Sequence, residues 1–159
     1  MSQTALDSPQ DLVRFQLRTA LTMEHDSLAA LKELAAAAKS PDVKKLFRHH
    51  QDETREQITK LQQVFRTLEF PESTAPSPST KGISRQAESL IKRSAPALRD
   101  QVTLAAALGN ENYEIAAYTA LILALSGQSS EATTLLQENL DQETHTSEEL
   151  RQRLQTLAS

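Results

Sequence analysis

The chain has 159 residues, 38% hydrophobic and 24% charged, with three Gly, six Pro and neither Cys nor Trp; such a composition is expected of one globular domain over 1–159. Without cysteine there is no disulfide framework, zinc-thiolate site, iron–sulfur cluster or thiol nucleophile, so any metal falls to carboxylate and imidazole. The net charge of −4 comes with scattered basic residues, and Gly82, Gly109 and Gly127 lie far apart; a nucleic-acid partner, a dinucleotide cradle and a P-loop are excluded.

Residues 1–15 lack a basic segment followed by an apolar core, so no signal peptide is expected. The longest apolar run, 115–125, contains Thr119 and is too short for a bilayer, so no membrane partner is expected. A cysteine-free chain of this kind is expected in the cytoplasm.

Scarce Gly and aromatics, with abundant Ala, Leu, Gln, Glu, Lys and Arg, favour helix throughout. A first helix is expected over 9–39. Ser40-Pro41-Asp42 supplies an N-cap followed by Pro at the first helical position, which starts a second helix over 41–69. Pro71, Pro76 and Pro78, beside Ser and Thr, make 70–83 a crossover linker. A short helix follows over 84–93. Ser94-Ala95-Pro96 opens a helix over 96–126, and Ser126-Gly127-Gln128-Ser129 closes it and opens the last one over 129–157. Short turns make each pair of long helices an antiparallel hairpin, while the long middle connection permits a crossover. Fourteen extended linker residues reach about 46 Å, enough for a bundle roughly 40 Å long.

Each long helix carries an apolar seam with a polar break near its middle. The first reads Leu17, Leu21, Glu24, Leu28, Leu31 and Ala35. The second reads Val43, Phe47, His50, Thr54, Gln57, Leu61, Val64 and Leu68, with Glu53 one turn from His50. The third reads Leu104, Leu108, Glu111, Ile115, Tyr118, Ile122 and Leu125, with Glu114 beside the seam. The last reads Leu136, Leu140, Glu143, Ser147, Leu150, Leu154 and Leu157.

Taken singly, each glutamate is expected to snorkel at a bundle edge. Folding back about turns near 41 and 127 brings all of them to one depth, where carboxylates in a dry core repel one another unless protonated, paired or bound to cations. A pair of divalent ions resolves that conflict in the way known for carboxylate di-metal bundles, and oxygen-rich ligation with little imidazole suits iron or manganese. His50 is a candidate ligand or a donor that orients one; a polar residue merely tolerated there is the alternative. Tyr113 and Tyr118 are expected to pack, with tuning of the metal as the alternative. His25, His49 and His145 are expected at the surface. The usual Glu-x-x-His pair is missing on the last helix, where Thr146 follows Glu143, and is reversed on the second as His50-x-x-Glu53.

Glu24, Ser40-Pro41-Asp42, the Phe47-x-x-His50-x-x-Glu53-Thr54-x-x-Gln57 run continuing to Leu61-x-x-Val64-Phe65, Tyr113-Glu114-Ile115-Ala116 with Tyr118, and Leu135-Leu136-Gln137-Glu138 through Glu143 resemble the YciE/YciF-type ferritin-like proteins of bacteria, from about Leu21 to Leu154. The resemblance implies an all-α, ferritin-like four-helix bundle with an extra short helix in the crossover, often a homodimer, with a di-metal carboxylate site and a stress-associated role. By position it implies Glu24, Glu53, Glu111 or Glu114, and Glu143 as ligands, with His50 adjacent. One departure is Asn112, where the family commonly has His before Tyr-Glu-Ile. The expected function is a ferritin-like protein with two divalent ions, iron before manganese, that meets peroxide or oxygen in a peroxidase-like reaction or sequesters iron. A metal-free helical interaction or regulatory module is the alternative.

Overall fold

Ser8 opens the first helix: its hydroxyl accepts the Asp11 backbone N–H at 3.1 Å, while Pro9 at the first helical position has no donor to leave unpaired. The computed structural model of the chain describes residues 4–125 and 127–158. The extreme ends of the expected domain, and Ser126 in the expected closure of the third long helix, lie outside the described residues. The helices are α1 Pro9–Ala37, α2 Pro41–Thr67, α3 Pro78–Arg93, α4 Arg99–Ala124 and α5 Ser130–Ala158, with a 3₁₀ turn at Pro96–Leu98 ahead of α4.

The short α1–α2 turn is not closed as the sequence suggests. Ser40 occupies the N-cap but its side chain makes no cap bond. Instead the Asp100 carboxylate, at the start of α4, accepts the Lys39 and Ser40 N–H groups at 2.6 and 3.1 Å. At the other end of α2 the Phe70 N–H reaches the Phe65 carbonyl at 2.9 Å and the Glu69 N–H the Arg66 carbonyl at 3.1 Å, with Glu69 in the left-handed region at φ 58. This is a Schellman closure, and its flanking Phe65 and Phe70 both join the core. Gly127, at φ 79, gives the α4–α5 turn its left-handed step, and the Ser129 hydroxyl accepts the Ala132 N–H at 3.2 Å to start α5.

The crossover differs most from expectation. Ser77-Pro78 starts α3 six residues before the expected 84, so the proline counted as linker occupies the first turn of a helix. Thr80 holds that turn against α1 by donating to Asp26 at 2.8 Å, and Lys81 pairs with the same carboxylate at 2.6 Å.

Tyr118 meets Glu24, Asn110 meets Ser27 and Asp100 meets the end of α1, so α1 and α4 run antiparallel. Lys60 pairs with Glu138 at 3.1 Å and Gln57 with Gln142 at 2.9 Å, so α2 and α5 do too. With α1–α2 and α4–α5 as hairpins, α2 and α4 are parallel across the diagonal and the crossover runs the bundle's length. The architecture is the expected all-α four-helix bundle with an added crossover helix. Its core is divided. One apolar cluster gathers Val13, Leu17, Leu21, Leu61, Phe65, Leu121 and Leu136 among others; a second gathers Leu31, Val43, Phe47, Leu104 and Leu150. Between them lies a layer that is almost entirely polar.

Candidate metal centre

The layer is made where each seam breaks. Glu24 of α1, Glu111 and Glu114 of α4, and Glu143 of α5 are 0%, 4%, 1% and 2% exposed, far below what glutamate tolerates without a partner. Carboxylate oxygens of Glu24, Glu114 and Glu143 lie within 4.8 Å of one another. Glu114, expected beside the seam, is in it. The buried row of α4 runs Leu104, Ala107, Glu111, Glu114, Tyr118 and Leu121, and Ile115 turns to the half-buried flank. Counting by hydrophobicity favoured Ile115, whereas the close α1–α4 packing admits the residue one position earlier.

Burial is the largest influence on all four acids. It pushes Glu24 up to about 8, against the opposing hydrogen bond from Tyr118. Glu111, Glu114 and Glu143 are held well above the ordinary carboxylate range by burial first and by one another next. Glu143 acts on both Glu111 and Glu114, and buried carboxyl groups so placed are accommodated by a proton or a cation between them.

A polar frame orients the group. The Tyr118 hydroxyl donates to Glu24 Oε1 at 2.5 Å, and Asn139 Nδ2 donates to the Tyr118 oxygen at 3.1 Å and to the Gln57 carbonyl at 3.2 Å. Asn110 Nδ2 donates to Ser27 Oγ at 3.1 Å, and Ser27 opposes the upward shift of Glu114. Tyr118 thus both packs and holds a carboxylate, while Tyr113 stays half-buried against the apolar cluster. Ser27 and Asn139 escaped the sequence reading. Their signal is position: Ser27 stands three residues after Glu24 and Asn139 four before Glu143, each one helical turn from a seam acid.

The α2 side is different. His50 is 2% exposed, and neither ring nitrogen has a hydrogen-bond partner; burial, aided by His49 and His145, lowers it to about 4. Glu53 does not join the Glu24, Glu114 and Glu143 group. Its side chain is 13% exposed and its carboxylate lies 2.8 Å from Nε2 of the exposed His49. Partial burial still raises it, and it contributes to the shift of Glu111, which places it at the rim of the layer. His25, His49 and His145 are exposed, as expected, and His145 pairs with Glu149 at 2.7 Å. Asn112 is exposed.

The donor set is oxygen with one imidazole. Five of its atoms are buried without a partner: Glu24 Oε2, Glu111 Oε2, Glu114 Oε1 and both ring nitrogens of His50. Orphaned acceptors of this kind are what a divalent cation satisfies, so the residues fit a carboxylate metal centre.

A family model described as a domain of unknown function, DUF892, matches residues 8–159. The chain belongs to that family. Among solved structures, this DUF892 chain is similar to YcfI of Rhodopseudomonas palustris, at 26% identity over 95% of this chain and 98% of that one, with a TM-score of 0.91. It is also similar to the E. coli stress protein YciF, at 26% identity over 93% and 95%, TM-score 0.88. The bacterioferritin-related protein of Bacteroides fragilis, a dodecameric thioferritin, shares the fold at 15% identity over 95% and 88%, TM-score 0.70. None of the curated proteins gives a significant match. The fold is ferritin-like, and the expected YciE/YciF-type kinship holds.

Proposed function

We propose that this DUF892 chain is a di-metal carboxylate protein that holds two divalent ions, iron in preference to manganese, in the polar layer. The observation that carries the reading is the convergence of Glu24, Glu114 and Glu143, with Glu111 buried in the same layer and oxygens of Glu24, Glu111 and Glu114 left unpartnered. Four carboxylates in a dry interior are tolerated as acids or as ligands. As ligands, Glu24, Glu111, Glu114 and Glu143 would hold the ions, and His50 and the rim residue Glu53 would complete the set from α2. Bound iron would supply one-electron chemistry toward peroxide or oxygen.

The chain's own groups do the rest. Tyr118 fixes Glu24 in one rotamer by its hydrogen bond, and Asn139 fixes Tyr118. Asn110 holds Ser27 by its hydrogen bond, on the Glu114 side of the layer. The apolar clusters on both sides keep bulk water away. The carboxyl protons leave as cations enter, so uptake releases protons. The stress role of E. coli YciF supports reading the reaction as removal of peroxide or oxygen, or as iron sequestration, in a cytoplasmic homodimer.

Elemental analysis of untagged protein after aerobic ferrous loading tests the reading. About two ions per chain are expected, and less than about half an ion per chain in a folded sample overturns it. The double variant Glu24→Ala with Glu143→Ala should lose the ions and keep its helical circular dichroism; two ions still bound would show that they sit elsewhere.

A further inference from the structure

The outer edge of the α2–α5 pair carries ligand-type side chains that the polar layer does not use. Lys60 pairs with Glu138 across that edge at 3.1 Å, and the helical rows containing the two residues continue from this contact. On α2 the row runs Lys60, Glu56, Glu53 and His49; on α5 it runs Glu138, Gln142, His145 and Glu149, with steps of four and three residues in both. Because the helices are antiparallel, the register of Lys60 with Glu138 sets Glu53 opposite His145 and His49 opposite Glu149. The Gln57–Gln142 bond at 2.9 Å agrees with that register to within one residue. The charges of His49, Glu149 and His145 all act on Glu53, as facing rows require. Two imidazoles and two carboxylates thus share one patch across a helix pair, and packed helices lie only about 8–10 Å apart.

We propose that His49, Glu53, His145 and Glu149 form a surface site for a single divalent transition-metal ion, from which ions pass inward to the carboxylate layer. The site itself does not need the di-metal reading; its role as an entry point rests on it. Two neutral imidazoles and two carboxylates make a four-donor set that balances a divalent charge and suits zinc and ferrous ion. Each imidazole is tied to the acid of its own helix, His49 Nε2 to Glu53 at 2.8 Å and His145 Nε2 to Glu149 at 2.7 Å. The histidine side chains are 64% and 74% exposed, so both are free to turn across the edge toward a shared ion. A second observation points inward. His50, beside His49 with ring centroids 6.3 Å apart, is 2% exposed and has no partner on either nitrogen. His50 and the rim residue Glu53 therefore connect the patch to the layer, and Glu53 would serve the outer ion and the inner pair in turn.

The test has two arms on the full chain. The first is calorimetric titration of zinc into the Glu24→Ala, Glu143→Ala variant, whose layer is disabled; about one ion per chain is expected, and adding His49→Ala and His145→Ala should weaken it at least about tenfold. No zinc bound, or zinc bound equally well without the two imidazoles, overturns the site and leaves two ion pairs within separate helices. Both histidines are exposed, so their removal should keep the helical circular dichroism, and His145→Ala alone serves if the combined variant fails to fold. The second arm places His49→Ala and His145→Ala in the otherwise unaltered chain. Ferrous ions should then fill the layer about tenfold more slowly and to the same final stoichiometry; an unchanged rate overturns the entry role. Unaltered protein that loads no iron, while the first arm still shows the surface zinc, sinks the di-metal reading and the entry role together and leaves the site standing.

Discussion

The ends of the bundle and its middle are built from the same four helices and the same three-and-four spacing, yet they use burial in opposite ways. At the ends, Leu17, Leu61, Phe47 and Leu104 are 0% exposed and need nothing in return; each square ångström removed from water contributes about 25 cal/mol. In the middle, burial is as complete for Glu24 and Glu114, and each carboxylate there costs several kcal/mol unless neutralised or bound. The ends therefore carry the stability that lets the middle hold an unfavourable cluster ready. This division predicts that damage to an end unfolds the protein, whereas damage to the middle changes what it binds.

The largest effect should come from an end. Phe47→Ala is expected to lower stability by about 3–5 kcal/mol, read from the urea midpoint, while the metal stoichiometry of the protein still folded stays the same. A loss of ions without a shift in midpoint would erase the contrast between the regions. In the middle, Glu143→Leu should raise the stability of the metal-free protein by about 1–4 kcal/mol and abolish the stabilisation by added ferrous ion that the proposed function predicts for the unaltered chain. A destabilised metal-free variant would mean that the carboxylate cluster is itself a structural device.

The pH dependence of the metal-free protein sharpens the same contrast. Glu24 is raised from 4.5 to about 8, so between those values the unfolded chain has released a proton that the folded chain keeps. Its contribution is complete below about 4.5 and is lost as pH rises through 8. Glu111, Glu114 and Glu143 are shifted in the same direction. His50, lowered from 6.5 to about 4, acts oppositely: its contribution is present above 6.5 and lost as pH falls through 4. Above 6.5 only the carboxylates act, so chemical denaturation should show stability falling toward pH 8, by at most about 1.4 kcal/mol per pH unit for each retained proton. Loaded with metal, the protein should lose this slope, because its carboxyl groups are already ionised. A smaller effect is expected from Tyr118→Phe, about 1–2 kcal/mol, because the phenol's bonds to Glu24 and Asn139 go while the ring's packing stays; it should weaken metal binding more than it moves the melting point.

The helix order, the hairpins and the polar breaks were legible because each is written locally, in a Pro, a Gly or an acid inside an apolar row. The start of α3 was not. Pro78 reads as a linker residue until Thr80 and Lys81 are seen docked on Asp26 of α1, a contact more than fifty residues away. The choice between Glu111 and Glu114 also lay beyond local pattern, since Ile115 competes for the seam by hydrophobicity and only the α1–α4 packing shows that both acids turn inward. Glu53 shows the reverse. Its spacing from His50 suits an inward pair, but His49, four residues before it on the same helix face, takes its carboxylate at the surface.

Asp100 gives the bundle its axial datum. By gripping the Lys39 and Ser40 amides, it ties the first residues of the second hairpin to the bend of the first. Along a helix one residue is a 1.5 Å step and a 100° rotation, so a slip of a single position would lift Glu111 and Glu114 away from Glu24 and turn them off the shared face. A carboxylate at the edge of the molecule thus acts as a ruler for carboxylates at its centre, measuring off the distance at which two separately folded hairpins bring their halves of the constellation to the same height.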